Sequence, residues 1–354
     1  MANVDKNKVD LVLSNGSTVK AFAPVIVSAS RSTDLPAFYA DWFFKRLEEG
    51  YSVWTNPFNG VPSYVAYERT RFIVFWSKNP HNLLPYLDRL KEKGIGCYIQ
   101  YTLNDYEKEG LEKGVPSKAH RIETFKALVE KLGKGHVIWR FDPMILTEDI
   151  SIDDLLEKVR FIGDELKGYT EKLVFSFADI LGYKKVKSNL EKNGIKYIEW
   201  TTDLMEEFAI RLAAMNQERG WNYQLATCGE KIDINKYGIL HNKCVDDDLI
   251  IRLAYKDAVL MKHLKVEVHR RGETLFDMEP ADSLNINDDY YAVKLKDNRD
   301  KGQRAFCGCI DSKDIGQYNT CPHLCEYCYA NANKETALAN FRKHQSNPDK
   351  ESII

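Results

Sequence analysis

The feature that most constrains the fold is the alternation, between residues 24 and 230, of short apolar runs with longer amphipathic stretches. Pro24–Ser30 reads as a strand, followed by a helix whose apolar face carries Phe38, Trp42, Phe43 and Leu47. The runs Phe72–Trp76, Cys97–Thr102, Val137–Phe141, Leu173–Phe177 and Asn222–Thr227 repeat the pattern. Helices are expected through Leu83–Leu90 and over 117–132, 151–167 and 202–219. Short strands with polar exits, each followed by a helical period, predict a parallel sheet with crossover helices. The expected fold class is α/β, a parallel (β/α) barrel of the TIM type, an architecture that runs to about 250 residues in one unit. After residue 230 the alternation fades into helical segments, a basic patch around Lys262 to Arg271 and a charged stretch at 285–302. A weak strand at Ile310–Ile315 and a helix over 334–344 close the chain, and a short extra strand is expected at Tyr51–Trp54.

Fifty Lys and Arg against 52 Asp and Glu leave a formal charge of −2, so no global field points to nucleic acid or an anionic membrane. The polar start Met1–Lys8 precedes no apolar stretch, and no run reaches the length of a membrane span. The expectation is a cytoplasmic protein without a membrane partner.

Five of the eight cysteines lie in residues 307–328. Cys321, Cys325 and Cys328 stand at C-x3-C-x2-C spacing, with Cys307 and Cys309 as a C-x-C just upstream. Thiolates clustered like this, in a chain expected to be cytoplasmic, read as a soft-metal site (iron–sulfur, zinc or copper(I)) and not as disulfides. A closed structural zinc site takes four protein ligands. Three cysteines on a cubane leave one iron open, and His323 or the C-x-C would be needed to complete a zinc site instead.

The C-x3-C-x2-C run with Tyr327 before its last cysteine resembles the signature of the radical S-adenosylmethionine (SAM) superfamily. The wider pattern from Cys307 through Asp314-Ile-Gly316 to Tyr327-Cys-Tyr-Ala-Asn331, with Ser28–Pro36, resembles a bacterial domain-of-unknown-function family, number 1848. The superfamily resemblance implies a [4Fe-4S] cluster on Cys321, Cys325 and Cys328 whose open iron binds SAM. It also implies reductive cleavage of SAM to a 5′-deoxyadenosyl radical, Tyr327 lying against the adenine, and an electron donor such as flavodoxin or ferredoxin. In that superfamily the cysteine loop follows the first barrel strand, whereas here it comes last. The resemblance therefore implies a circularly permuted barrel with its cluster-binding βα unit at the C-terminus, a rearrangement that neighbouring termini permit. Its glycine-rich segment for the SAM amine is not found after Ser30; Ser28, Ser30, Arg31 and Asp34 stand there instead.

A parallel barrel builds its site where strands exit. That singles out Arg31, Asp34, Arg140 and Asp142 as catalytic candidates, with Lys78, Asn79, Asn104, Asp105, Asp179 and Glu230 on the same rim. Arg31 and Arg140 are of the type that clamps a carboxylate bidentately. The structural alternative for each is an ion pair or a helix cap, and Asp34 two residues before Pro36 has the cap's position. Cys228, Cys244, Cys307 and Cys309 number four, enough for a second Fe–S cluster or a structural zinc. Cys97, at the start of a strand, reads as a buried apolar residue. Trp54, Phe58 and Trp76 are candidates to line a pocket or stack on a base.

The domain reading is barrel units in 1–230, an insertion carrying part of the auxiliary metal site in 231–306, the cluster loop and closing helix in 307–345, and a tail in 346–354. The functional expectation is a radical SAM enzyme acting on a small molecule or nucleic acid. The rival is a zinc-stabilised barrel that binds nucleic acid or a protein without radical chemistry.

Overall fold

The computed structural model describes residues 7–272, 279–304 and 306–354, so most of the polar start lies outside the described residues. Eight strands form one sheet: β1 (Ile26–Ala29), β2 (Phe72–Ser77), β3 (Gly96–Thr102), β4 (Val137–Met144), β5 (Lys172–Phe177), β6 (Gln224–Thr227), β7 (Ile239–His241) and β8 (Lys313–Asp314). Their order across the sheet is β8-β1-β2-β3-β4-β5-β6-β7, and every neighbouring pair is parallel. The last strand of the sequence thus lies outside the first, at one edge.

Paired residues of a parallel sheet share a face, and the two faces have different partners. Val27, Ile73, Phe75, Ile99, Tyr101, Trp139 and Phe175 pack against Phe43, Phe125, Leu155 and Phe208 of the crossover helices. The other face carries Ile26, Phe72, Val74, Tyr98, Ile138 and Val174 towards the strand starts, where helices Asp247–Ala254 and Ala258–Leu264 bring Ile250 and Leu260 onto it. Burial on both faces explains why the strands read as near-continuous apolar runs and not as alternating ones. Crossover helices start where side-chain caps dictate: Ser117, Thr201 and Ser151, the last in a capping box with Asp154.

The edge strands β7 and β8 do not pair with each other. The chain leaving β7 nevertheless meets the chain entering β8, where the Ile310 amide donates to the Val245 carbonyl at 3.0 Å. The sheet therefore curls into a TIM-barrel-like form with one seam left without strand-to-strand hydrogen bonds.

Two features differ from the sequence reading. Strand β7 falls within the stretch read as irregular: it is three residues long with two of them exposed, too short for a period to register. Tyr51–Thr55 is a strand, but it pairs with Pro62–Ala66 in a separate four-stranded sheet with Lys8–Val12 and Thr18–Phe22. A second small antiparallel sheet joins Val266–Arg270, Leu284–Asn285 and Tyr290–Lys294. Among the described residues no helix is long and apolar enough to cross a membrane.

Candidate functional site

All three C-terminal cysteines lie on the loop after β8, at the carboxyl ends of the strands. The loop is clamped by its neighbours along almost its whole length. Asp314, the last residue of β8, accepts from the Arg31 amide (2.8 Å), the Ser30 hydroxyl (2.8 Å) and, more weakly, the hydroxyls of Ser32 and Ser28. Gly316 lies so close to this serine cluster that a Cβ would stand 1.7 Å from Ser30 Oγ. The Tyr39 hydroxyl donates to the Thr320 carbonyl at 2.5 Å, and the Tyr329 hydroxyl to the Arg31 carbonyl at 2.8 Å.

The centre of the loop rests on the segment after β3. Gly114 donates to the His323 carbonyl (2.8 Å), Glu326 donates to the Leu111 carbonyl (2.9 Å), and Glu112 forms a β-bridge with Cys325. A Cβ on Gly114 would meet the Pro322 carbonyl oxygen at 2.6 Å, so only glycine allows this approach. Behind the bridge lies a buried polar knot. Glu112 Oε1 accepts from Lys78 Nζ (2.7 Å), from Asn104 Nδ2 (3.0 Å) and from the Tyr327 hydroxyl, while Arg121 lies 3.6 Å from Oε2. Burial alone would push the Glu112 carboxyl up. Lys78 and Arg121, with the hydrogen bonds from Lys78 and Tyr327, hold it down at about 2.

Asp34 is the second anchor. It caps the short helix Leu35–Phe38 through the Ala37 amide (3.0 Å) and accepts from the Ser77 hydroxyl, the Lys78 amide and His323 Nε2, each at 2.7 Å. Burial acts to raise its carboxyl, but His323 and these donors keep it below the usual carboxylate range. Its oxygens are thus engaged by the helix after β1, the exit of β2 and the cysteine loop. His323 Nδ1 faces the Gly114 carbonyl at 3.0 Å. Both ring nitrogens face acceptors, so neither is left for the zinc that the sequence offered it.

Ser28 and Ser30, placed by the sequence at the SAM amine and carboxylate, give their hydroxyls to Asp314 instead. Tyr327 is buried, its hydroxyl also bonded to Lys78 (2.8 Å) and Asn104 (3.0 Å) and its ring 6.1 Å from that of Tyr106. It anchors the loop that carries Cys325 and Cys328. Cys97 is buried, and burial pushes its thiol up to about 12.

The inner face of the sheet turns polar near the strand exits. The guanidiniums of Arg31 and Arg140 each lie 5.3 Å from the Trp76 ring. Arg140 is buried and donates to Gln100 Oε1 (3.2 Å), Cys244 Sγ (3.3 Å) and Asp142, whose other oxygen accepts from Ser176. Burial would lower the Arg31 pKa, but Cys309, Cys244 and Asp314 close by raise it above the ordinary value. Arg31 Nε, Trp76 Nε1, Asn79 Oδ1 and Thr227 Oγ1 are buried without a partner. Four such orphans around the exits of β1, β2 and β6 mark a place where a polar ligand would restore lost hydrogen bonds.

The remaining cysteines also converge. Cys228 Sγ lies 3.2 Å from Cys244 Sγ, and the amides of Cys244 and Val245 donate to Cys309 Sγ at 3.2 and 3.4 Å. Cys309, two residues on, holds the Cys307 thiol below its ordinary value.

The family model for a domain of unknown function, DUF1848, matches residues 26–330. The chain belongs to this family. No curated protein matches it. The DUF1848 region starts at the first residue of β1 and ends two residues past Cys328, so it spans the whole eight-stranded sheet and both groups of cysteines.

Two elements of the DUF1848 site were not evident from the sequence. Glu112 stands in a loop rich in Glu, Lys and Gly with no local signature, and only the fold brings it under Cys325. Asp314 was visible only as part of the Asp-Ile-Gly pattern, yet Gly316 two residues on is a readable sign of close backbone approach. Among the described residues, the one group of three or more His, Cys, Asp or Glu with ligand atoms all within 4.8 Å is Asp246, Asp247 and Asp248. That trio caps helix Asp247–Ala254 and is matched by Lys243, Lys294 and Lys172, so its charge is already answered.

Proposed function

We propose that this protein is a radical SAM enzyme, in which Cys321, Cys325 and Cys328 hold a [4Fe-4S] cluster and SAM is reductively cleaved to methionine and a 5′-deoxyadenosyl radical that removes a hydrogen atom from the substrate. The observation that carries the reading is the setting of the three thiols: they share one loop, at the carboxyl edge of a parallel sheet, and among the described residues are not gathered with a fourth ligand into one group within 4.8 Å. A fourth ligand is what a structural zinc needs. Sulfurs on a single tetrahedral zinc, with bonds of about 2.3 Å, stand about 3.8 Å apart. These three are not all within 4.8 Å of one another, which suits ligands on different irons of one cluster. The zinc-stabilised binding module also loses His323 as a fourth ligand, because both its ring nitrogens face acceptors.

Among the chain's own groups, Arg31 is the best placed to take the SAM carboxylate, since its buried Nε has no partner. Arg140 is already committed to Asp142, Gln100 and Cys244. Lys78, Glu112 and Tyr327 fix the cysteine loop from beneath, and Asp34 with His323 fixes its start. The strand order β8-β1-β2 supports a circularly permuted barrel: the cluster-bearing strand lies where a first strand would, although it comes last in the chain. The proposed partners are a one-electron donor such as flavodoxin or ferredoxin and a substrate that is a small molecule or nucleic acid.

The reading is tested by mass spectrometry on anaerobically reconstituted protein given dithionite and SAM. Methionine and 5′-deoxyadenosine are expected in equal amounts, falling to the level of a protein-free control in Cys325→Ala. Equal product from wild type and variant would reject the assignment.

A further inference from the structure

The seam between β7 and β8 is closed by a different set of groups from those used elsewhere in the sheet. Cys228 leaves β6, Cys244 follows β7, and Cys307 with Cys309 precedes β8, so three separate segments bring four thiols to the one junction where strands do not pair. Cys244 and Cys309 are buried. The sulfurs are bonded as thiolates are: Cys309 Sγ accepts two backbone amides, and Cys244 Sγ accepts from Asn242 Nδ2 (3.2 Å) and Arg140 (3.3 Å). Arg140 is itself buried and aimed at the group, and Arg31, like Arg140 5.3 Å from the Trp76 ring, has Cys309, Cys244 and Cys307 close by. Buried guanidiniums are costly unless they meet negative charge.

We propose that Cys228, Cys244, Cys307 and Cys309 hold a second, fully cysteine-ligated iron–sulfur cluster that fastens the seam of the barrel. A [4Fe-4S] cluster with four thiolates carries a net charge of about −2 in its oxidised form, and the buried Arg140 guanidinium already donates to one of the four sulfurs, Cys244 Sγ. The sulfurs approach one another in pairs, Cys228 and Cys244 at 3.2 Å. No three of the four sulfurs lie within 4.8 Å of one another, whereas one tetrahedral zinc draws all four to about 3.8 Å. The site is closed by four protein ligands, so it has no open iron for SAM. Its role here is to join the edge strands.

The test uses the full chain, made anaerobically, with iron, acid-labile sulfide and zinc counted per chain. Cys321, Cys325 and Cys328 are changed together to Ala to isolate the second site. That triple variant is expected to keep about four iron and four sulfide, with an EPR signal unmoved by SAM. The Cys307→Ser, Cys309→Ser double variant is expected to lose the same four and to be cut by protease within 242–247 or 298–311 at least about tenfold faster, as an opened seam exposes its backbone. Stoichiometric zinc, no metal, or a Cys228–Cys244 disulfide in the triple variant would overturn the proposal even if the double variant fails to fold. Loss of SAM cleavage in the triple variant speaks to the first cluster alone, so the two assignments fail separately.

Discussion

Replacing Gly316 with Ala is expected to destabilise the anaerobically purified protein by about 3 kcal/mol, near the upper end for forcing one methyl into a packed site. The added Cβ would lie 1.7 Å from Ser30 Oγ and 2.7 Å from Ser32 Oγ. Neither hydroxyl can simply swing away, because Ser30 Oγ donates to Asp314 and also accepts the Ser32 amide at 3.1 Å. The strain therefore passes to Asp314 and to the contact of β8 with β1, from which the cysteine loop departs. Gly94→Ala is the control. It puts a side chain at φ +66 with nothing within 4 Å, and should cost only about 1 kcal/mol through the backbone. The measurement is chemical denaturation of both variants together with iron content. Equal, small losses would show that the Asp314 latch does not hold the loop.

Glu112→Gln is expected to cost about 3 kcal/mol near neutral pH, because Lys78 and Arg121 would stay buried with their counter-charge gone. The effect should depend on pH in a definite direction. Glu112 is held at about 2 in the folded chain against an ordinary 4.5. A depressed carboxyl contributes stability above its unfolded pKa and loses it as pH falls towards the folded value. Wild type therefore weakens as acid is added, whereas Gln has no such contribution to lose. The gap between the two proteins should narrow from about 3 kcal/mol at pH 7 to about 1 kcal/mol at pH 3. Denaturant midpoints at several pH values measure it. A gap that stays constant with pH would mean that the carboxylate's charge is not what steadies the loop.

How far the sequence could be read follows from what kind of signal each element carries. Strands β1 to β6 are legible because they are apolar runs bounded by polar exits, and burial on both faces of a parallel sheet demands that composition. The helices between them are legible from caps such as Ser117, Ser151 and Thr201. Strand β7 is not, since three residues cannot show a period and its pairing with β6 depends on the curl of the whole sheet. The cysteines are legible by type and spacing, whereas the meeting of Cys228 with Cys244 and Cys309 is a product of the fold, since they come from three separate segments. The roles of the charged rim residues were harder to read. Asp34 and Arg140 stand at strand exits as expected, but their partners are His323, Ser77, Asp142 and Gln100, distant in sequence for the most part. A polar residue's role is set by what meets it, and that is a long-range property of the fold. For the same reason Glu112 was invisible: nothing in its own loop says that Lys78, Asn104, Arg121 and Tyr327 will gather round its carboxylate.

The measurement that tests the central claim most directly is electron paramagnetic resonance of the dithionite-reduced, reconstituted protein with and without SAM, in wild type and in Cys325→Ala. The account predicts a reduced [4Fe-4S] signal in wild type whose g values shift when SAM is added, as an open iron gains a ligand, and the loss of that SAM-sensitive component in the variant. A cluster spectrum identical with and without SAM, or the same SAM response in Cys325→Ala, would contradict it.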